Sequence, residues 1–174
     1  MSSPHEAQEP LYLDDLQVGQ KFISGCYVME ESRMKAFAAE FDPQPFHLDE
    51  AAGRASLFGG LVASGWHTAA VTMRLLATGG LPFAGGLIGL GGEGHWPRPT
   101  RPGDTLHVES EIIAISPSRS KPNQAIVTVR STTMNQDGLP VYVLTAKILS
   151  FRRSFQATTG TERLSLLPTN KLLK

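Results

Sequence analysis

A chain of 174 residues, 41% hydrophobic and 18% charged, is sized for one folded domain with a core of its own. Sixteen basic residues balance sixteen acidic ones, which argues against the basic footprint of a nucleic-acid binder and removes one barrier to self-association. The single cysteine, Cys26, excludes an intrachain disulfide framework.

Residues 1–10 are polar and lack the basic-then-apolar layout of a secretion signal. We read them as a disordered leader and expect a cytoplasmic protein with a folded body over 11–153. The segment Leu11–Gln20 turns at Gly19 into an apolar-rich run, Lys21–Met29, expected as the first strand. The next segment, Glu30–Phe41, opens with acids and places Met34, Phe37, Ala38 and Phe41 at i, i+3, i+4, i+7, the spacing of an amphipathic helix. That helix ends at Asp42, because Pro43 biases the residue before it away from helical dihedrals.

Pro45 acts likewise on Gln44, so Asp42–His47 is expected to be extended and stiff. Such a stretch holds a carboxylate and an imidazole five residues apart at reduced ordering cost. A short helical turn over Leu48–Ala55 and a Gly59-Gly60 break lead to an apolar helix, Leu61–Thr78, terminated by Gly79-Gly80. Its apolar positions cover most of the circumference, predicting a helix wrapped by other structure. It carries His67 and Arg74 and suits a core better than a membrane.

Beyond Leu87 the pattern changes to strands. Leu87–Leu90 is a short strand, and Trp96–Asp104 is an extended connection ending in a turn. Thr105–Ser116 is a strand, and Ala125–Met134 and Val141–Phe151 form a hairpin around Asn135-Gln136-Asp137-Gly138. Residues 154–174 lose the pattern and are read as a C-terminal tail. The architecture expected is α+β: a curled antiparallel sheet around one long central helix. Its open edges predict a homodimer or higher homo-oligomer.

The stretch Asp42-Pro43-Gln44-Pro45-Phe46-His47-Leu48 resembles the hydratase motif of the MaoC-like dehydratases, the (R)-specific enoyl-CoA hydratases of the hotdog fold. That motif runs Asp-x-Asn-Pro-aliphatic-His, with a glycine about eighteen residues further on, at the start of the central helix. Here the glycine is Gly65. Arg98-Pro99 and Arg101-Pro102-Gly103-Asp104-Thr105-Leu106 are similar to the family's Pro-Val-x-x-Gly-Asp-x-Leu segment. The resemblance spans about Leu16 to Arg152. Three positions depart from it: Gln44 replaces Asn, Phe46 a small aliphatic, and Ser64 a frequent His.

The resemblance implies reversible hydration of a trans-2-enoyl-CoA to an (R)-3-hydroxyacyl-CoA, with coenzyme A thioester as substrate and no separate cofactor. Asp42 would be the base that activates water, His47 the proton donor, and the Gly65 N–H the donor to the thioester oxygen. Gln44, Phe46, Ser64 and Trp66 would contact substrate, Ser64 also being a helix cap. Arg98 and Arg101 would meet phosphates of coenzyme A, with Arg119 and Lys121 as further candidates. Taken alone, Asp42 is a turn residue after a helix, His47 an ordinary histidine, and each arginine a solvated charge.

Other motifs carry less. His67 reads as a satisfied core histidine, Glu93 and His95 as turn or packing residues, and His107 as facing solvent. Gly89-Leu90-Gly91-Gly92-Glu93-Gly94 matches Gly-x-Gly-x-x-Gly, but Trp96-Pro97-Arg98-Pro99 follows instead of a helix, which argues against a dinucleotide site. The histidines lack close ligand spacing, so no metal is expected. Two rival functions stay open: a hotdog acyl-CoA thioesterase and a non-catalytic acyl-CoA-binding subunit.

Overall fold

The computed structural model describes residues 9–153, so the expected tail and all but the end of the expected leader lie outside the described residues. Six strands are present: β1 (Lys21–Ile23), β2 (Tyr27–Val28), β3 (Ile88–His95), β4 (Thr105–Pro117), β5 (Gln124–Met134) and β6 (Pro140–Phe151). All pair antiparallel, in the order β1-β4-β5-β6-β3, with β2 also on β4. The β5–β6 hairpin turns where expected. Asn135 Oδ1 accepts from Asp137 and Leu139 N–H at 3.1 and 2.9 Å, and Gly138 takes φ 68°.

Four α-helices accompany them among the described residues, α1 (Glu31–Phe41), α2 (Pro45–Leu48), α3 (Glu50–Ala55) and α4 (Gly65–Leu75), with a 3-10 turn at Leu13–Asp15 and a π-helical turn at Leu76–Gly80 following α4. The inner face of α4 lays Val71 and Leu75 against Leu106, Val108, Ile112, Val127, Val129 and Val141 of the sheet, all buried. Polar positions on that face are paired: Thr72 and Thr133 hydroxyls lie 2.6 Å apart, and Thr68 donates to Thr100 at 3.0 Å. An open antiparallel sheet bent around one central helix is the hotdog fold, as the motif implied.

Strand β3 runs on to His95 where Leu87–Leu90 was expected, so Glu93 and His95, expected in turn or packing roles, are exposed strand residues paired with β6. The structure corrects four further local expectations. The central helix begins at Gly65, not Leu61; residues 61–64 are buried and extended, stitched by Val62 N–H to Phe46 C=O and Ala63 N–H to Thr100 C=O. An apolar run does not reveal where a helix starts, whereas the cap does: the Ser64 hydroxyl accepts from Trp66 N–H at 3.2 Å. Second, Asp42–His47 is not extended throughout, because Pro45 starts α2, its missing N–H being harmless in a first helical turn. Third, Lys21–Met29 is two short strands on β4, not one.

Fourth, α4 is not covered all round. Trp66, Ala70 and Met73, with Ala77 in the turn just beyond the helix, are exposed along one stripe, Trp66 at 66% and Met73 at 47%. The apolar circumference was real, but one side of it faces outward in the single chain. No helix of the described residues is long and apolar enough to cross a membrane.

Candidate active site

Three backbone segments converge at the N-terminus of α4. The residue after α1, Asp42, sits with φ −154° and ψ 66°, a non-helical conformation favoured by Pro43. Helix α2 follows and turns His47 inward until it is 5% exposed. The extended 61–64 segment then runs beside both and delivers Ser64 and Gly65.

The contacts among them are short. His47 Nδ1 lies 2.9 Å from Val62 C=O; a carbonyl only accepts, so Nδ1 carries the proton and Nε2 is the nitrogen left for chemistry. That Nε2 lies 3.4 Å from Asp42 Oδ2, long for a direct bond and short enough for one water to touch both. Asp42 Oδ2 also accepts from the Ser64 hydroxyl at 2.6 Å, and Oδ1 from Gln44 Nε2 at 2.8 Å. These bonds favour the charged form. The Ser64 hydroxyl foremost, then Gln44 and the nearby His47, outweigh partial burial and hold the Asp42 carboxyl below the usual carboxylate range.

The Asp/His pair opens onto a cavity of about 620 Å³, ordinary for a small-molecule site. Its buried floor is Val62, Ala63, Thr68 and Thr100; its outer walls include Phe46, Leu57, Phe58, Trp66 and Trp96. The Phe46 ring stands edge-on to the His47 imidazole at 4.6 Å and tilts against Phe58 at 5.2 Å. Arg98 and Arg101 stand at the mouth.

Of the residues singled out in the sequence, Asp42, Gln44, Phe46, His47, Gly65, Trp66, Arg98 and Arg101 all line this cavity. Ser64, expected against substrate, does not; it is fully buried and joins the Asp42 carboxylate to the helix cap. Arg101 is partly committed, donating from Nη2 to Phe58 C=O at 2.6 Å. Arg119 and Lys121 lie at the β4–β5 turn, away from the cavity. His67 is buried as expected and stacked on Phe37 at 4.6 Å, but its Nδ1 has no hydrogen-bond partner among the described residues. Burial pushes its pKa down.

Sequence reasoning missed Trp96, Phe58, Thr68, Thr100 and the Val62 carbonyl. A carbonyl leaves no mark in a sequence. Trp96 did leave one: it is one of only two tryptophans and stands at the start of the proline-rich connection. Replacing Ser64 by Ala removes the leading cause of the low Asp42 pKa, so the Asp42 titration followed by carbon NMR moves to higher pH. The same change removes a helix cap and lowers unfolding free energy by about 1 kcal/mol.

A hotdog sheet with an Asp/His pair at the N-terminus of its central helix is the arrangement the sequence motif led us to expect of a MaoC-like dehydratase. The chain belongs to that family: its MaoC-like domain model matches residues 15–135. A MaoC-like dehydratase of Rhodospirillum rubrum is 62% identical, with a TM-score of 0.82 over 82% of this chain and 98% of that one. The R-hydratase PhaJ1 of Pseudomonas aeruginosa is 30% identical, with a TM-score of 0.67 over 82% of this chain and 87% of its own. An uncharacterised protein of Bacillus subtilis, YdeM, is 32% identical over 133 residues, 75% of this chain and 92% of that protein.

Proposed function

We propose that the protein hydrates a trans-2-enoyl-CoA to an (R)-3-hydroxyacyl-CoA, and catalyses the reverse dehydration. The observation that carries the reading is the 3.4 Å approach of His47 Nε2 to Asp42 Oδ2 in the wall of an apolar cavity, next to the first residue of α4. The similarity to an R-hydratase supports the same reaction.

In the hydration direction, one water sits between the pair. Asp42 takes a proton from it as the water oxygen bonds to C3. The C2–C3 π electrons move toward the thioester oxygen, where the Gly65 N–H receives the developing charge. That N–H belongs to the first helical turn, whose donors have no intrahelical acceptor, and it sits at the positive end of the helix dipole. Asp42 then passes the proton it took to His47 Nε2, which delivers it to C2, leaving the carboxylate and the Nδ1–H imidazole as they began. The Asp42 carboxyl, held below the usual carboxylate range, is ionised at neutral pH and free to take the first proton. Exposed Arg98, which has no ion pair among the described residues, suits a coenzyme A phosphate at the cavity mouth.

The test is the ultraviolet absorbance of crotonyl-CoA on mixing with the protein, beside a free-thiol assay. Loss of the enoyl band without thiol is the expected result. Thiol release would make the protein a thioesterase, and binding without either signal a carrier or assembly subunit.

The same reading takes a homodimer as the working unit. Strand β3 ends the sheet with one edge unpaired among the described residues, and the exposed α4 stripe lies bare; a second copy would cover such surfaces. Sedimentation at micromolar concentration is expected to give twice the chain mass. A monomer there would refute the assignment.

A further inference from the structure

Glycine is the least restrained residue on which to hang an oxyanion donor, so the Gly65 peptide needs an external clamp. One side of the clamp is plain. Ser64, the preceding residue, is tied to Asp42 by its 2.6 Å hydroxyl bond. The other side is Trp96, thirty-one residues away. Its indole Nε1–H donates to Gly65 C=O at 2.9 Å. Its ring also covers the glycine: a Cβ built on Gly65 would lie 3.1 Å from Trp96 Cε2 and 3.2 Å from Nε1.

Trp96 is itself braced. Its ring stacks on Tyr142 at 5.0 Å with a 29° interplanar angle, and Tyr142 is 6% exposed on β6. Gly94 makes room for that stack, since a Cβ there would lie 2.6 Å from Tyr142 Oη. The brace therefore runs from the sheet through Tyr142 and Trp96 to the first peptide of the central helix. A phenylalanine would supply the ring but not the donor.

We infer that Trp96 is a positioning residue: by holding the Gly65 carbonyl of the 65–66 peptide and laying its ring over the glycine, it restrains the Gly65 dihedrals that link this unit to the 64–65 peptide, so that the Gly65 N–H is pre-aimed at the thioester oxygen. The inference rests on the hydration reading. Because Trp96 acts through Gly65, its loss should weaken stabilisation of the developing enolate more than ground-state binding.

The experiment compares wild type with Trp96→Phe, using crotonyl-CoA for turnover and butyryl-CoA, which has no double bond to hydrate, for binding. The expected result is a kcat lower by about tenfold, in line with a slightly misplaced catalytic donor, with a clearly smaller change in the butyryl-CoA Kd, since Trp96 also lines the cavity. Unchanged kcat would overturn the inference. So would a parallel loss of butyryl-CoA affinity and kcat, which would make Trp96 a cavity wall only. Nitrogen relaxation gives a readout free of turnover and of ring-current shifts: the order parameter of the Gly65 amide is expected to fall in Trp96→Phe, and an unchanged value would refute the clamp. If wild type fails to hydrate crotonyl-CoA, the functional reading falls, while the Gly65 order parameter still decides whether Trp96 holds the backbone there.

Discussion

Replacing Asp42 by Asn is expected to lower kcat for crotonyl-CoA hydration by about 10²- to 10⁴-fold, the range for removing a positioned general base. The substitution is nearly isosteric, so the loss reads chemistry rather than shape. Asn has one oxygen and one amide nitrogen, whereas the Asp42 carboxylate accepts on both oxygens, from Ser64 and from Gln44. One of those donors must then face another donor, which costs about 1 kcal/mol. The stability change also has a pH signature. The Asp42 carboxyl is held below its ordinary range in the folded protein, so its charged form contributes stability above the unfolded carboxylate pKa. That contribution is lost as pH falls through the lowered folded pKa. Thermal melts of wild type and Asp42→Asn should therefore differ most near neutral pH and converge in acid. A variant that kept full turnover would remove Asp42 from the reaction.

How much of this was legible in the sequence depends on the kind of contact. The sheet strands beyond Thr105 were readable to within a residue or two, because alternation, a Gly-containing turn and antiparallel pairing are all local signals. The Asp42 and His47 positions were readable because two prolines and a fixed spacing mark them. The start of α4 was misread for a physical reason: residues 61–64 are as apolar as the helix, being buried on their own account between α2 and the 97–104 connection. Only the capping serine distinguished the two.

The exposed stripe of α4 was misread for another reason. A sequence shows that Trp66, Ala70, Met73 and Ala77 are apolar or small, but not which neighbour covers them. Long-range partners were the least legible of all. Nothing local to Ser64 indicates that its hydroxyl meets Asp42, twenty-two positions earlier, and nothing local to Trp96 indicates a bond to Gly65. These are the contacts that turn a motif into a site with an ionised carboxylate and a fixed peptide.

His47 offers the second large effect, and the structure suggests which substitution isolates it. An Asn side chain places its amide nitrogen close to where Nδ1 stands, so His47→Asn can still donate to Val62 C=O, now 2.9 Å from Nδ1. What it lacks is any counterpart of Nε2, the nitrogen facing Asp42. A Gln side chain does the reverse, placing its amide near Nε2 and leaving the Val62 carbonyl without its donor. Both variants should lose about 10²- to 10⁴-fold in kcat, since neither amide titrates. They should separate in stability: His47→Asn stays near wild type, while His47→Gln loses about 1–3 kcal/mol for a buried carbonyl left without its donor. Denaturant melts beside crotonyl-CoA kinetics read both quantities. Turnover preserved in His47→Asn would show that Nε2 moves no proton and that the imidazole serves only to hold residues 61–64 against α2.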